Sequence, residues 1–297
     1  MKFLTTTLTC CLISIISFAQ KTYVIKQNYP VGKKYDYNIT SDQIIKEKVS
    51  GQEINLTQNI GTDYTFDITD GKAGDKNVKV IYNRITMKSV AMGNTMVMDS
   101  DQGNEDKQNP FSGLKGATFN MVFGSDGAIK SVTGINEMLD GMVVKMTSDS
   151  SQLKQLKASL SKQFNAEAMK QTMESSFKLY PEKPVKIGDT WTVDTKMQMS
   201  MPIETNTTYV LKEVNDGIAT LNVKGTLISK GNFETMGNNM ETDLKGTNSG
   251  DVQLDVKTGM ILNSHLRIEM FGIVKTMGQD IDFEIQGINK IIGKALN

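Results

Sequence analysis

The chain has 297 residues, with 33 basic and 33 acidic side chains, one His, two Cys, one Trp and 19 Met. A composition 38% hydrophobic and 22% charged is that of a globular protein, and zero formal charge excludes a basic field for nucleic acid. One His and two Cys leave almost no material for zinc sites or Cys/His catalysis, so the methionine excess is the outlying feature.

The first predicted element is an address. Lys2 is the only charged side chain before Gln20, and Leu4 to Phe18 are apolar or small. Ser17-Phe18-Ala19 then offers small residues for a cut between Ala19 and Gln20, as in a secretory signal peptide over 1–19. The alternative is a short N-terminal anchor. Apolar residues follow Cys10 and Cys11 as far as Phe18, which argues against either as a lipid acceptor. Cleavage leaves a cysteine-free chain, periplasmic or extracellular, whose fold rests on its core alone. No later segment has the length of apolar sequence that a transmembrane helix needs.

From there the dominant pattern has period two, which reads as strand. Tyr64, Phe66 and Ile68 alternate with polar residues, as do Val78 and Val80, Leu221 and Val223, Val252, Leu254 and Val256, and Ile281, Phe283 and Ile285. Strands with one dry and one wet face suit an antiparallel sheet. Asp70-Gly71, Asp126-Gly127, Asp216-Gly217 and Thr258-Gly259 are turn dipeptides between them. Asp99 to Pro110 and Gly246 to Asp251 read as loops. Between about 134 and 179 the period becomes helical: Ile135, Met138, Leu139, Met142, Val143 and Met146, then Leu153, Leu156, Leu160 and Phe164, then Met169, Met173 and Phe177. Tyr180-Pro181-Glu182-Lys183-Pro184 ends the helices.

Four matches recur in the same order in both parts of the chain. Pro30 to Tyr37 resembles Pro184 to Trp191, and Tyr64 to Lys88 resembles Tyr209 to Lys230. Met92-Gly93-Asn94-Thr95-Met96 resembles Met236-Gly237-Asn238-Asn239-Met240, and Phe119 to Val132 resembles Val252 to Leu266. These define pseudo-repeat halves at 29–133 and 184–291 with the helical insert at 134–179, in one β-rich domain over 20–297. The alternative is that hairpins look alike. A sheet with one apolar face must bury it. The expectation is therefore mainly β with a helical insert: a large curved antiparallel sheet or open barrel covered by the helices, with two tandem β domains as the alternative.

The stretches Met98-Asp99-Ser100-Asp101, Gly127 to Gly134 and Tyr180 to Trp191 resemble an uncharacterised family of exported Bacteroidota proteins carrying a domain of unknown function. The resemblance spans about Tyr29 to Ile291 and implies no catalytic residues. The expected architecture is also similar to that of the lipoprotein carriers of the bacterial periplasm, an analogy of fold that does not settle function.

Candidate chemistry is sparse. Met197, Met199 and Met201 at alternate positions present three thioethers, which favour Cu(I), or else a plain apolar strand face. Met138, Met142 and Met146 form a helical stripe that would meet strand methionines across a cavity able to take a lipophile, or would fill a closed core. His265 sits among Asn263, Arg267 and Glu269 on a polar face. Asp99, Asp101, Glu105 and Asp106 make an acidic loop without the ordered alternation of a calcium-binding loop. Trp191 is expected to be partly buried, packing the second half as Tyr35 packs the first. No nucleophile-elbow, phosphate-loop or dinucleotide motif occurs. The expectation is a non-enzymatic exported protein without a cofactor, either a binding or carrier module for a lipophilic ligand or envelope partner, or a structural envelope-associated protein with a filled core.

Overall fold

The protein is described by a computed structural model over residues 21–102, 109–163, 165–198, 201–235 and 238–296. The segment expected to be a signal peptide, with Cys10, Cys11, Ala19 and Gln20, lies outside the described residues, as do Glu105, Asp106, Phe164, Met199 and Met236-Gly237.

The first part of the chain supplies β1 (Lys34–Val49), β2 (Gln52–Asp70), β3 (Lys76–Ala91), β4 (Asn94–Asp99), β5 (Thr118–Phe123) and β6 (Ile129–Thr133). Three helices follow, α1 (Ile135–Met146), α2 (Ser150–Gln163) and α3 (Ala166–Phe177). The chain then forms β7 (Thr190–Gln198), β8 (Pro202–Asn215), β9 (Ile218–Thr235), β10 (Asn238–Asp255), β11 (Ile261–Thr276) and β12 (Gln279–Leu296). All are in one antiparallel sheet, ordered β6-β5-β3-β2-β1-β12-β11-β10-β9-β8-β7, with β4 paired to β3. The first strand pairs with the last at the middle of the sheet, Lys34 opposite Leu296 and Lys48 opposite Asp282. β4 and β5 take the two ends of β3, whereas β10 runs along the whole of β9.

The four turn dipeptides each separate consecutive strands. The chosen turn chemistry is visible at Asp216-Gly217, with φ of 50° and 81°, the left-handed pair of a type I′ hairpin. Gly246 to Asp251, expected to be a loop, is instead the middle of β10. Its glycines are there because backbones approach closely, not because the chain turns: a Cβ on Gly246 would meet the carbonyl oxygen of Glu269. The Met197 run also differs from expectation. β7 ends at Gln198 and β8 begins at Pro202, so the alternating methionines straddle a hairpin instead of lining one strand.

The sheet is strongly curled. Its edges, β6 and β7, are ten places apart in strand order, which is about 48 Å in a flat sheet. Yet α3 packs against both. The edges must therefore approach to about one helix diameter, roughly 10–12 Å. Helix α3 stands in the gap where a hydrogen-bonded strand would close a barrel. Ser175 Oγ donates to the Lys196 carbonyl at 2.7 Å and Lys178 Nζ to the Asp194 carbonyl at 2.9 Å, capping the open edge of β7.

One end of this open barrel, the base, holds the main core. Phe66, Ile68, Val78, Val80, Phe119, Met121, Leu211, Leu221 and Leu254 from the strands meet Ile135, Met138, Leu139 and Met169 from the helices. The N-terminal segment crosses the base, pairing Tyr23 with Val185 and donating from Asn28 N to the Thr258 carbonyl. It buries Ile25 and Tyr29. Toward the opposite end, the rim, a second cluster of Leu227, Leu244, Met270 and Val274 contains no helix residue. The helices thus cover the base half of the inner face only, less than a full lid.

Candidate ligand site at the helix–sheet seam

Aromatic residues accumulate where α3 enters the barrel. Period two turns Tyr35 and Tyr37 of β1, and Tyr64 and Phe66 of β2, to the inner face, and register sets Tyr37 opposite Tyr64. Tyr37 and Phe66 rings lie 5.0 Å apart, and Phe177 of α3 lies 6.1 Å from Phe66 and 5.6 Å from Phe123. The hydroxyls of Tyr29 and Tyr37 bond at 2.8 Å, and Tyr180 donates to the Gly259 carbonyl at 2.8 Å. On the other flank Trp191 stacks on Tyr209 at 5.7 Å and donates from Nε1 to the Leu179 carbonyl at 2.9 Å.

Beneath α3 this packing leaves a cavity of about 100 Å³. Its walls are Tyr37 and Ile39 of β1, Tyr64 and Phe66 of β2, Val80 of β3, Phe119 of β5, Ile261 of β11 and Ile291 of β12. Met173, Ser176 and Phe177 of α3 close it. The lining is apolar apart from Ser176 and the phenol oxygens. Its walls on the rim side, Ile39, Tyr64 and Ile291, are half-buried, so the cavity forms the floor of the space above the packed base. A polar belt crosses that space: Ser41 Oγ donates to Asn289 Oδ1 at 2.6 Å, Gln43 Nε2 to Ser41 Oγ at 2.9 Å, and Asn248 Nδ2 to Thr207 Oγ1 at 3.4 Å. A larger cleft of about 790 Å³ lies outside the seam between α3 and the β7–β8 hairpin, with mixed walls in which Glu174, Lys178, Asp194 and Glu204 stand beside Met197 and Ile203.

The methionines expected to form one lining are distributed over three places. Met138 is buried in the main core and Met142 packs against it. Met197 borders the outer cleft, and Met201 packs on the rim cluster. Met146 closes α1, and Met199 lies outside the described residues. Sequence reasoning missed the cavity walls themselves, which come from six strands and one helix. The usable signal was the doubling of inward aromatics, Tyr35 with Tyr37 and Tyr64 with Phe66.

Asp99 and Asp101 of the acidic segment are ion-paired. Asp99, 8% exposed, receives Arg84 Nε at 3.1 Å and Nη2 at 2.6 Å, and Asp101 takes Lys115 at 2.8 Å. The Arg84 hydrogen bonds hold the Asp99 carboxyl below the usual range. Among the described residues no three His, Cys, Asp or Glu side chains are grouped to hold a metal ion. His265 is exposed on the outer face.

The tyrosines make a pH prediction. Burial raises the phenol pKa of Tyr29, Tyr37, Tyr64, Tyr82 and Tyr180, and pushes Tyr209 up to about 12. A folded pKa above the unfolded value of about 10 gives stability that is complete below pH 10 and is lost as pH rises through the folded values. In an alkaline titration, tyrosinate absorbance should rise in one cooperative step above pH 10, together with loss of the β-sheet circular dichroism signal. Smooth titration of all tyrosines near pH 10 in a folded protein would contradict this burial.

A family model described as a family of unknown function (DUF6263) matches residues 73–261, and the chain belongs to that family. No curated protein matches the chain. Among solved structures, an outer membrane channel from Pseudomonas putida F1 is similar at 7% identity over 90% of this chain and 97% of that one, with a TM-score of 0.27. The translocator domain of the autotransporter NalP from Neisseria meningitidis is similar at 6% identity over 88% of this chain and 89% of that one, with a TM-score of 0.34. Likeness at that level carries no function across. Among the described residues no helix is long and apolar enough to cross a membrane.

Face polarity is informative on its own. Asp36, Asn38, Thr40, Asp42 and Lys46 of β1 point outward, and so do Asp243, Lys245, Thr247, Asp251 and Gln253 of β10. Most apolar strand residues point inward, although Ile44, Ile228, Phe271, Ile273 and Ile292 are exposed on the outer face. A transmembrane barrel has the opposite arrangement, with an apolar band facing lipid and a polar lumen.

Proposed function

We propose that this member of the DUF6263 family is an exported, water-soluble, non-enzymatic module that binds a lipophilic ligand at the floor of its open barrel. The observation carrying the reading is the apolar cavity under α3, walled by aromatic and aliphatic side chains and roofed by the pliable Met173. Its volume suits a ring or a short length of chain. A longer ligand would continue upward past the polar belt, where Ser41, Gln43 and Asn289 can hydrogen-bond a head group. The predominantly polar outer face and the apolar base of the inner face support a protein that is solvated outside and packed at its base.

The test is binding of N-phenyl-1-naphthylamine, a neutral probe that fluoresces in apolar sites. The wild type should bind it saturably, and fatty acids should displace it. Ser176→Leu places bulk over the cavity from the exposed face of α3. It should weaken probe binding about tenfold, the effect of a lost contact worth roughly 1.4 kcal/mol, without lowering the melting temperature, because leucine is the better helix former. Unchanged binding in the variant, or none in the wild type, would turn the choice to a structural protein with a filled core.

A further inference from the structure

The rim and the base of the barrel use the same tight turn with different residues. At the base, Asp216-Gly217 forms its left-handed pair with the polar residue that tolerates it. At the rim, Met92-Gly93 joins β3 to β4 with φ of 49° and 78°, and Met277-Gly278 joins β11 to β12 with φ of 50° and 74°. A side chain such as methionine is disfavoured in the left-handed region, where Asn, Asp and Gly are preferred. These two are also the most exposed large apolar side chains among the described residues, Met277 at 79% and Met92 at 75%. Each therefore combines an unfavourable backbone with an unfavourable exposure.

Their placement is one-sided. β3 and β11 both run from base to rim, so both tips stand at the end where no helix residue packs. Inward apolar residues reach the same end: Met240 of β10, and Ile281 and Phe283 of β12, join the rim cluster. We propose that this rim docks on a phospholipid bilayer, with Met92 and Met277 entering its surface and the barrel mouth facing the lipid. The proposal deepens the lipophile-binding reading, and rests on it for what docking achieves: a ligand could pass between bilayer and cavity without crossing water.

A bilayer fits the geometry better than a protein. The tips are four strand spacings apart, about 19 Å along the rim. The polar tip Ser50-Gly51 stands between them. A protein interface has a continuous buried apolar core. A lipid surface accepts each apolar side chain separately, in proportion to the area it buries.

The test is flotation of the full chain with phosphatidylcholine vesicles, for wild type and for the double variant Met92→Asn, Met277→Asn. Asparagine suits both turns, so the variant should melt at the same or a higher temperature. Losing two buried methionines should weaken vesicle partition about tenfold each. Absence of wild-type flotation, or equal flotation of a folded double variant, overturns the proposal. So does concentration-dependent dimerisation without flotation that the double variant abolishes, which would assign the rim to a second copy. Flotation without naphthylamine binding would leave the rim standing and remove the cavity reading; naphthylamine binding without flotation would do the reverse.

Discussion

Gly250→Ala is expected to destabilise the protein by about 4 kcal/mol, the sum of a strained backbone and an overpacked contact. Gly250 sits inside β10 with φ of 154°, a conformation that residues with a Cβ rarely adopt. Its missing Cβ is occupied by the main chain of β11: a methyl group there would overlap the carbonyl oxygen of His265. Neither neighbour can yield easily, because β10 is held between Val223 of β9 and Leu266 of β11. Gly51 is the control. It too has a positive φ, 83°, but nothing stands within 4 Å of its would-be Cβ, so Gly51→Ala should lose only about 1–2 kcal/mol. Urea denaturation followed by circular dichroism separates the two. Equal losses would show that the close approach of β11 is not the cause.

Trp191→Ala should lose about 3 kcal/mol, the lower part of the range for a core aromatic because the ring is only partly buried. Two contacts disappear together. The indole leaves the face of Tyr209, and the buried Leu179 carbonyl loses its donor. Leu179 follows α3 directly, so this bond pins the lower end of the helix that fills the seam. Trp191→Phe should restore the stacking but not the bond, leaving a loss of about 1 kcal/mol. The two variants lack the only Trp, so melting must be followed by circular dichroism. A Trp191→Ala protein melting as the wild type would remove Trp191 from the packing scheme.

Much of the architecture was legible because this sheet keeps a dry and a wet face. Tyr64-Thr65-Phe66-Asp67-Ile68 announces its strand and its orientation at once, and the helical period from Ile135 to Phe177 marks the insert. The errors have physical causes. Gly246 to Asp251 reads as a loop because glycine marks turns and close backbone approach equally, and only the neighbouring strand distinguishes them. The run from Met197 to Met201 reads as one strand because alternation continues past the end of β7 to the start of β8. The cavity was less accessible. Ile39, Val80 and Ile291 meet only after the sheet curls, and curvature is a property of how strands are paired, not of any one of them. The position of α3 between β6 and β7 is invisible for the same reason. Met92-Gly93 is readable as a hairpin tip, but the cost of methionine there requires the backbone angles.

The pairing of β1 with β12 has a kinetic meaning. Lys34 and Leu296 are neighbours at the centre of the sheet, so the two meanders can be joined only after the final strand is available. Until then β1 presents an unpaired edge of 16 residues, and the open edge of β11 waits for the same partner. Such long-range closure gives a high contact order and slow folding. A chain that acquires its central seam last keeps its two meanders apart while it is being made. Shortening the C-terminus by one strand would not trim an edge. It would split the sheet down its middle.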